Sequence, residues 1–249
     1  MLQVLRQPKW IVAALVVTAL AAVFVRLGFW QLDRLEERRE MNEVGAERIN
    51  AEPVGLAELM AEAEGSLESI QFRRVEVSGI FAAEDEILIR SQVELGQAGF
   101  HVITPLVQDD GRAILINRGW VPLSMDAPPV TAQPSAGHSV VEGWVQLTQT
   151  RPSLGPEDAP GDQQVFNRVD IARIGDQMPY DLAPVYVVEM GERRDELPVR
   201  VDPPGFDDEG THLAYAVQWF GCAAVGLVGF FFLIRRKGPS DSSERPRRR

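Results

Sequence analysis

Cysteine, histidine and positive charge are all scarce in these 249 residues. The one cysteine, Cys222, excludes an intrachain disulfide, a paired-thiol copper carrier and a CxxC redox protein. Of the three histidines, His101 falls in a strand pattern and His138 in a Pro/Gly loop. Neither has an acidic or second histidine neighbour at ligand spacing, so both read as structural or solvated. There is no Gly-rich phosphate loop, no G-x-S-x-G elbow and no HExxH, so a kinase, hydrolase or zinc protease lacks its usual groups. We expect no enzyme here. Acidic residues outnumber basic ones, 36 to 25, for a net charge of −11, and residues 33–210 alone carry −19. Such a surface repels phosphate, which excludes a nucleic-acid partner for this segment. Nothing repeats at a fixed period.

What is abundant is apolar sequence, concentrated in two runs, Ile11 to Val25 and Leu213 to Ile234. The second is uncharged and, at 1.5 Å per residue, spans about 33 Å, enough for a hydrocarbon core of roughly 30 Å. Arg235, Arg236 and Lys237 stop it. The first reaches full length only by including Arg26, which snorkels if it lies near an interface. Ala19-Leu20-Ala21 resembles a signal-peptide cleavage site, but the apolar run continues past it with no intervening polar stretch, so we expect the span to be retained. Basic residues flank the terminal side of both runs, placing both termini in the cytoplasm. The expected organisation is a cytoplasmic N-terminus (1–9), a transmembrane helix (10–32), an extracytoplasmic acidic α+β domain (33–211), a second transmembrane helix (212–234) and a basic cytoplasmic tail (235–249). This is a multi-pass protein of a lipid bilayer.

Charges at helical spacing from Gln31 to Asn50 continue the first helix into water, Glu52-Pro53 breaks it, and Leu56 to Ala63 suggests a short helix. From about residue 70 the period becomes two. Strands are expected around 72–77, 87–90, 100–103, 113–116, 140–147 and 185–188, with Asp109-Asp110-Gly111 as a hairpin turn and 151–161 as a long loop. The fold class is therefore two transmembrane helices flanking a mainly-β domain with short helices, an antiparallel barrel or sandwich with paired edges.

Three blocks carry a resemblance. Gly28, Trp30, Gln31 and Arg34 stand at the outer end of the first span. Gly99, Thr104, Pro105 and Leu106 precede the run Asn117-Arg118-Gly119-Trp120-Val121-Pro122. His212, Tyr215, Ala216, Gln218, Trp219 and Phe220 enter the second span. In this order and between two spans, the chain resembles the surfeit-locus-one (Surf1-like) family of cytochrome c oxidase biogenesis factors. It departs at Thr211, where an asparagine is expected, and near Phe166-Asn167, which lacks an expected tryptophan. The resemblance implies a bacterial plasma-membrane chaperone that helps haem a enter, or helps mature, the haem-bearing core subunit of an aa3-type oxidase, with haem a bound through the second-span histidine. The alternative is a permanent accessory subunit of the oxidase or of a respiratory supercomplex, with no haem of its own.

Read by themselves, the residues leave choices open. His212 either offers an imidazole nitrogen to haem iron or is an interfacial histidine beside an aromatic belt, with Tyr215 and Trp219 on nearby helical faces. Arg26 pairs with a haem propionate, stacks on Trp219 or snorkels. Tyr215, Gln218, Cys222, Gly226 and Gly229 form a polar-to-small stripe that reads as a helix–helix interface. Asn117 to Pro122 reads as a turn held by side-chain hydrogen bonds or as a partner-docking corner.

Overall fold

The computed structural model describes residues 8–63, 65–94, 96–130, 132–150, 156–192 and 196–236. It contains two compact units, Val44–Phe206 and a helical unit built from the segments before and after it.

In the helical unit, α1 is a continuous helix, Pro8–Asn50, whose last turns belong to the other unit. The polar stretch from Gln31 prolongs it as expected, because charges at helical spacing tolerate water as well as the apolar turns tolerate lipid. We label His212–Arg236 α4. Both helices are long and apolar enough to cross a membrane. They run antiparallel, since Trp10 faces Phe230 with ring centroids 6.4 Å apart and Phe24 stacks on Trp219 at 5.5 Å. Small residues let them approach: Ala21, Ala216 and Ala223 are buried, and a Cβ on Gly28 would meet the Phe220 ring at 2.6 Å. The expected 235–249 tail lies outside the described residues, apart from Arg235 and Arg236 in the last turn of α4.

The other unit is sheet-rich. Its elements are β1 (Val54–Gly55), α2 (Leu56–Glu62), β2 (Arg74–Phe81), β3 (Ile87–Glu94), β4 (Gln97–Val107), β5 (Ala113–Pro122), β6 (His138–Leu147), β7 (Val165–Phe166), α3 (Ile171–Gly175) and β8 (Leu182–Glu189). Strands pair in the order β1-β2-β6-β8-β5-β4-β3-β7, and a further pairing of β2 with β4, Ile80 opposite Val107 and Phe81 opposite Leu106, closes five strands into a barrel. Closure removes the free edges that a small sheet would otherwise expose. The barrel is not purely antiparallel, because β5 and β8 run parallel. The chain between them passes through β6, β7 and α3, and so supplies the long crossover that a parallel pair needs.

Alternation explains where the core lies. In β2, Val75 and Val77 point inward while Glu76 and Ser78 are exposed. In β5 the run Ala113 to Ile116 is buried on both faces. Ile114 and Ile116 join Leu106, Val145 and Val187 inside the barrel, which Leu56 and Leu59 of α2 cap. Leu115 instead joins Trp144, Phe166, Ile171 and Ile174 in a second layer outside the barrel wall. A strand sandwiched between two cores needs no polar face, hence its unbroken apolar sequence.

Candidate functional sites

In the helical unit the geometry centres on His212. Gln31 Oε1 lies 2.9 Å from His212 Nδ1, and an amide oxygen can only accept, so Nδ1 carries a proton and the bond leaves Nε2 uncommitted. Gly210 precedes His212 at φ +70°, a conformation that favours glycine, and a Cβ there would make only ordinary contact with the ring, 3.6 Å from Nε2. The approach to α4 is held against α1 by Arg39, which binds both Glu209 carboxylate oxygens at 2.8 and 2.9 Å, and by Asn42 Nδ2, which donates to the Asp208 carbonyl at 3.0 Å. His212 and Gln31, 181 positions apart in sequence, are thus brought together by the antiparallel helix pair.

The other residues expected at this site are placed differently. Trp219 is half-buried with one face taken by Phe24, so it is not an open platform for a macrocycle. Tyr215 is 47% exposed, and Arg26 is exposed rather than stacked on Trp219. Trp30 is exposed, with the Arg34 guanidinium 5.9 Å over its ring, and Arg34 also pairs with Glu37. Gln218, Cys222, Gly226 and Gly229 all lie on the exposed side of α4, and a Cβ on Gly226 or Gly229 would meet nothing within 4 Å. The stripe therefore does not form the contact between these two helices. Aromatic–aromatic packing and the Gly28–Phe220 fit occupy that role, because large rings bury more area than glycines do.

In the barrel unit the run from Asn117 to Pro122 is neither a turn nor an exposed corner. It is the second half of β5, interrupted by a β-bulge: Ile103 pairs with Asn117 and Val102 with Gly119, leaving Arg118 as the extra residue. Gly119 sits at φ +129°, and a Cβ there would meet the Val199 carbonyl oxygen at 2.4 Å, so only glycine fits. The Asn117 side chain fastens the bulge, accepting from the Gly119 N–H at 3.0 Å and donating through Nδ2 to His101 Nδ1 at 3.1 Å. His101 is thereby held as the Nε2–H tautomer. Burial lowers its pKa from 6.5 to about 4, keeping the ring neutral. Trp120 exchanges two backbone hydrogen bonds with Val199, and its ring lies where a Cβ on Gly99 would be, which accounts for the glycine at 99.

Arg118 points into a buried ion-pair network. Its Nη1 donates to Glu86 Oε2 at 3.0 Å and its Nη2 to the Ala132 carbonyl at 2.7 Å. Glu86 Oε2 also accepts from Thr104 Oγ1 and Oε1 from the Val130 N–H, both at 2.8 Å. The Glu86 side chain is 0% exposed and that of Arg118 7%. Arg200 binds Glu189 and the Arg118 carbonyl, and burial pushes the Glu189 carboxyl upward against the opposing pull of Arg200 and Arg118. These groups satisfy one another, so the network is structural. The sequence does not single out Glu86 or Glu189 among the acidic residues. An arginine set in an apolar strand signals a buried charge needing a partner, yet nothing in the order of residues says which of 36 carboxylates supplies it. His138, expected in a loop, opens β6 and lies 3.7 Å from Asp109.

The pattern of the SURF1 family matches residues 18–224 of the chain, from within α1 to within α4. A SURF1-like protein of Monosiga brevicollis is 29% identical over 252 residues, covering 89% of this chain and 88% of that one. A SURF1-like protein of Mycobacterium bovis is 28% identical over 235 residues (91% and 84%), and one of Rickettsia felis 24% over 228 residues (89% and 96%). With most of α1, the bulged strand, the His212 junction and the first half of α4 inside the matched region, the chain belongs to the SURF1 family.

Proposed function

We propose that this protein is a membrane-anchored assembly factor for an aa3-type cytochrome c oxidase that assists insertion of haem a into the core subunit, without catalysing a reaction itself. Membership of a family known broadly for oxidase assembly supports the class of function. The observation that carries the haem part is the His212–Gln31 hydrogen bond. In its neutral form, an imidazole whose Nδ1–H is already committed to an amide oxygen presents Nε2 as a ligand in a fixed orientation. This donor chemistry fits haem iron, and haem a is here the cargo rather than a resident cofactor. Tyr215 and Arg26, exposed near the same end of the helices, are the groups that would meet its polar edge.

In this reading α1 and α4 span a bacterial plasma membrane, both termini are cytoplasmic and the barrel is extracytoplasmic. The apolar residues that line both helices and are exposed in the chain alone, such as Leu15, Leu20, Val225 and Phe232, face lipid or the oxidase core subunit. The outward stripe from Tyr215 to Gly229 gives a partner helix, in the oxidase or a respiratory supercomplex, a surface for close approach.

The test is the absorption spectrum of the chain purified from haem-a-producing cells, with His212→Ala, Gln31→Leu and Tyr215→Phe alongside. We expect a haem band that His212→Ala removes, that Gln31→Leu weakens by loss of ring orientation and that Tyr215→Phe leaves nearly intact. Haem a in the oxidase should fall more than the amount of this protein. If the purified chain carries no haem and co-purifies with the oxidase in fixed proportion, with all three variants unchanged, the accessory-subunit role replaces the chaperone role.

A further inference from the structure

A cavity of about 240 Å³ opens on the outer face of the barrel wall, lined by Trp144, Tyr186, His101 and Gln146 together with apolar side chains of the second core layer. Successive strands bring these groups together: Gln146 is opposite Tyr186, and Trp144 opposite Val188, which pairs with Asn117. Four side chains of the lining offer hydrogen-bond donors. Trp144, 2% exposed, has an indole N–H with no partner. His101 accepts at Nδ1 from Asn117, so its Nε2 carries a hydrogen. Tyr186 accepts from Gln149 at 3.2 Å, leaving its O–H to donate, and Gln146 accepts from Gln71 at 3.1 Å through Oε1, leaving its amide hydrogens. Four neutral donors thus belong to one lining, and no arginine or lysine lines the cavity.

We propose that this cavity binds an uncharged carbonyl group of the amide type. A carbonyl oxygen accepts two hydrogen bonds and asks for none in return, which matches a donor-rich wall. Water fits less well, because each molecule that accepts must also donate, and among the lining side chains the Asn117 and Gln149 amide oxygens are already taken by the Gly119 and Val169 N–H groups, which leaves as acceptors the Gln92 amide oxygen and the exposed Asp202. An anion is disfavoured because the donors are neutral, His101 titrates only near pH 4, and the lining's one carboxylate is the exposed Asp202. The site is independent of the haem reading.

The experiment titrates N-methylacetamide into the ¹⁵N-labelled full chain in detergent and follows the indole N–H resonances, with Trp144→Phe assigning the Trp144 signal. Trp120 serves as an internal control, since its indole N–H is also buried and unpartnered but does not line this cavity. Saturable movement of the Trp144 signal is expected, with Trp120 unmoved and acetate inactive. Tyr186→Phe, which keeps the ring that packs in the core, should weaken binding about two- to twelvefold, the loss of one neutral hydrogen bond. A glycine unit blocked as amides at both ends separates two sources of the carbonyl. Tighter binding than N-methylacetamide assigns a peptide backbone, and weaker binding assigns a small free amide. The proposal is overturned if the Trp144 signal does not move or fails to saturate, if acetate moves it equally, if Trp120 responds in parallel, or if its only contact is exchange with ordered water.

Discussion

Replacing Glu86 by glutamine removes one atom's worth of charge and almost no volume, so what it costs measures the buried network directly. The carboxylate accepts from three donors, Thr104 Oγ1, Arg118 Nη1 and the Val130 N–H. A glutamine amide must turn its NH2 toward at least one of them, leaving a donor against a donor, and it leaves the Arg118 guanidinium, 7% exposed, without its nearest counter-charge. Breaking a buried pair from one side costs about 3–5 kcal/mol. At about 2–4 °C per kcal/mol for a domain of this size, the barrel should melt roughly 6–20 °C lower. Removing both charges is different. Glu86→Leu with Arg118→Met takes away the stranded ion along with its partner and should recover at least about 2 kcal/mol of the loss expected from adding the two single variants. Urea titration of the full chain in mild detergent, followed by circular dichroism at one pH, gives all four stabilities of this cycle. If Glu86→Gln lies within about 1 kcal/mol of the unaltered protein, or the double variant is additive within about 0.5 kcal/mol, the network is not the clamp described here.

Two further outcomes follow from the same geometry. His101 is buried neutral with a pKa of about 4 against 6.5 when unfolded, so its contribution is fully present above pH 6.5 and is lost as pH falls toward 4, where the unfolded state takes up a proton that the folded state refuses. At about 1.4 kcal/mol per pH unit this amounts to at most about 3–4 kcal/mol. His101→Gln, which keeps an acceptor for Asn117, should flatten the unfolding-stability profile between those pH values, and an unchanged acid slope would refute the assignment. In the helical unit, Gly28→Leu should slow disulfide cross-linking between cysteines placed at Phe24 and Trp219 in a Cys222→Ala background, because its side chain enters the space of the Phe220 ring. Gly226→Leu should leave that cross-linking unchanged, since its position faces away from α1, and equal slowing by both variants would show the helix faces to be misassigned.

The order of residues alone determined the two long apolar helices, the charged extension of α1 to Asn50, the short α2 and the positions of six strands. Each of these is a local periodicity, 3.6 or 2, written in consecutive residues. It also singled out His212, Gln31 and the Asn117–Trp120 run as distinctive, through the family they resemble. Tertiary structure decided what those residues do. A polar-to-small stripe says that a helix suits close packing but not against which neighbour, so the Tyr215–Gly229 stripe was legible while the Phe24–Trp219 stacking that joins α1 to α4 was not. A glycine after an arginine suits a turn and a bulge alike. The approach of Val199 over Gly119 made it a bulge inside β5. The partners of buried charges were hidden for the same reason: Glu86 and Arg118 are 32 residues apart, and 181 separate His212 from Gln31. Hydrogen bonds between side chains act over about 3 Å of space whatever the length of chain between them, so they are set by barrel closure and helix pairing rather than by any pattern along the sequence.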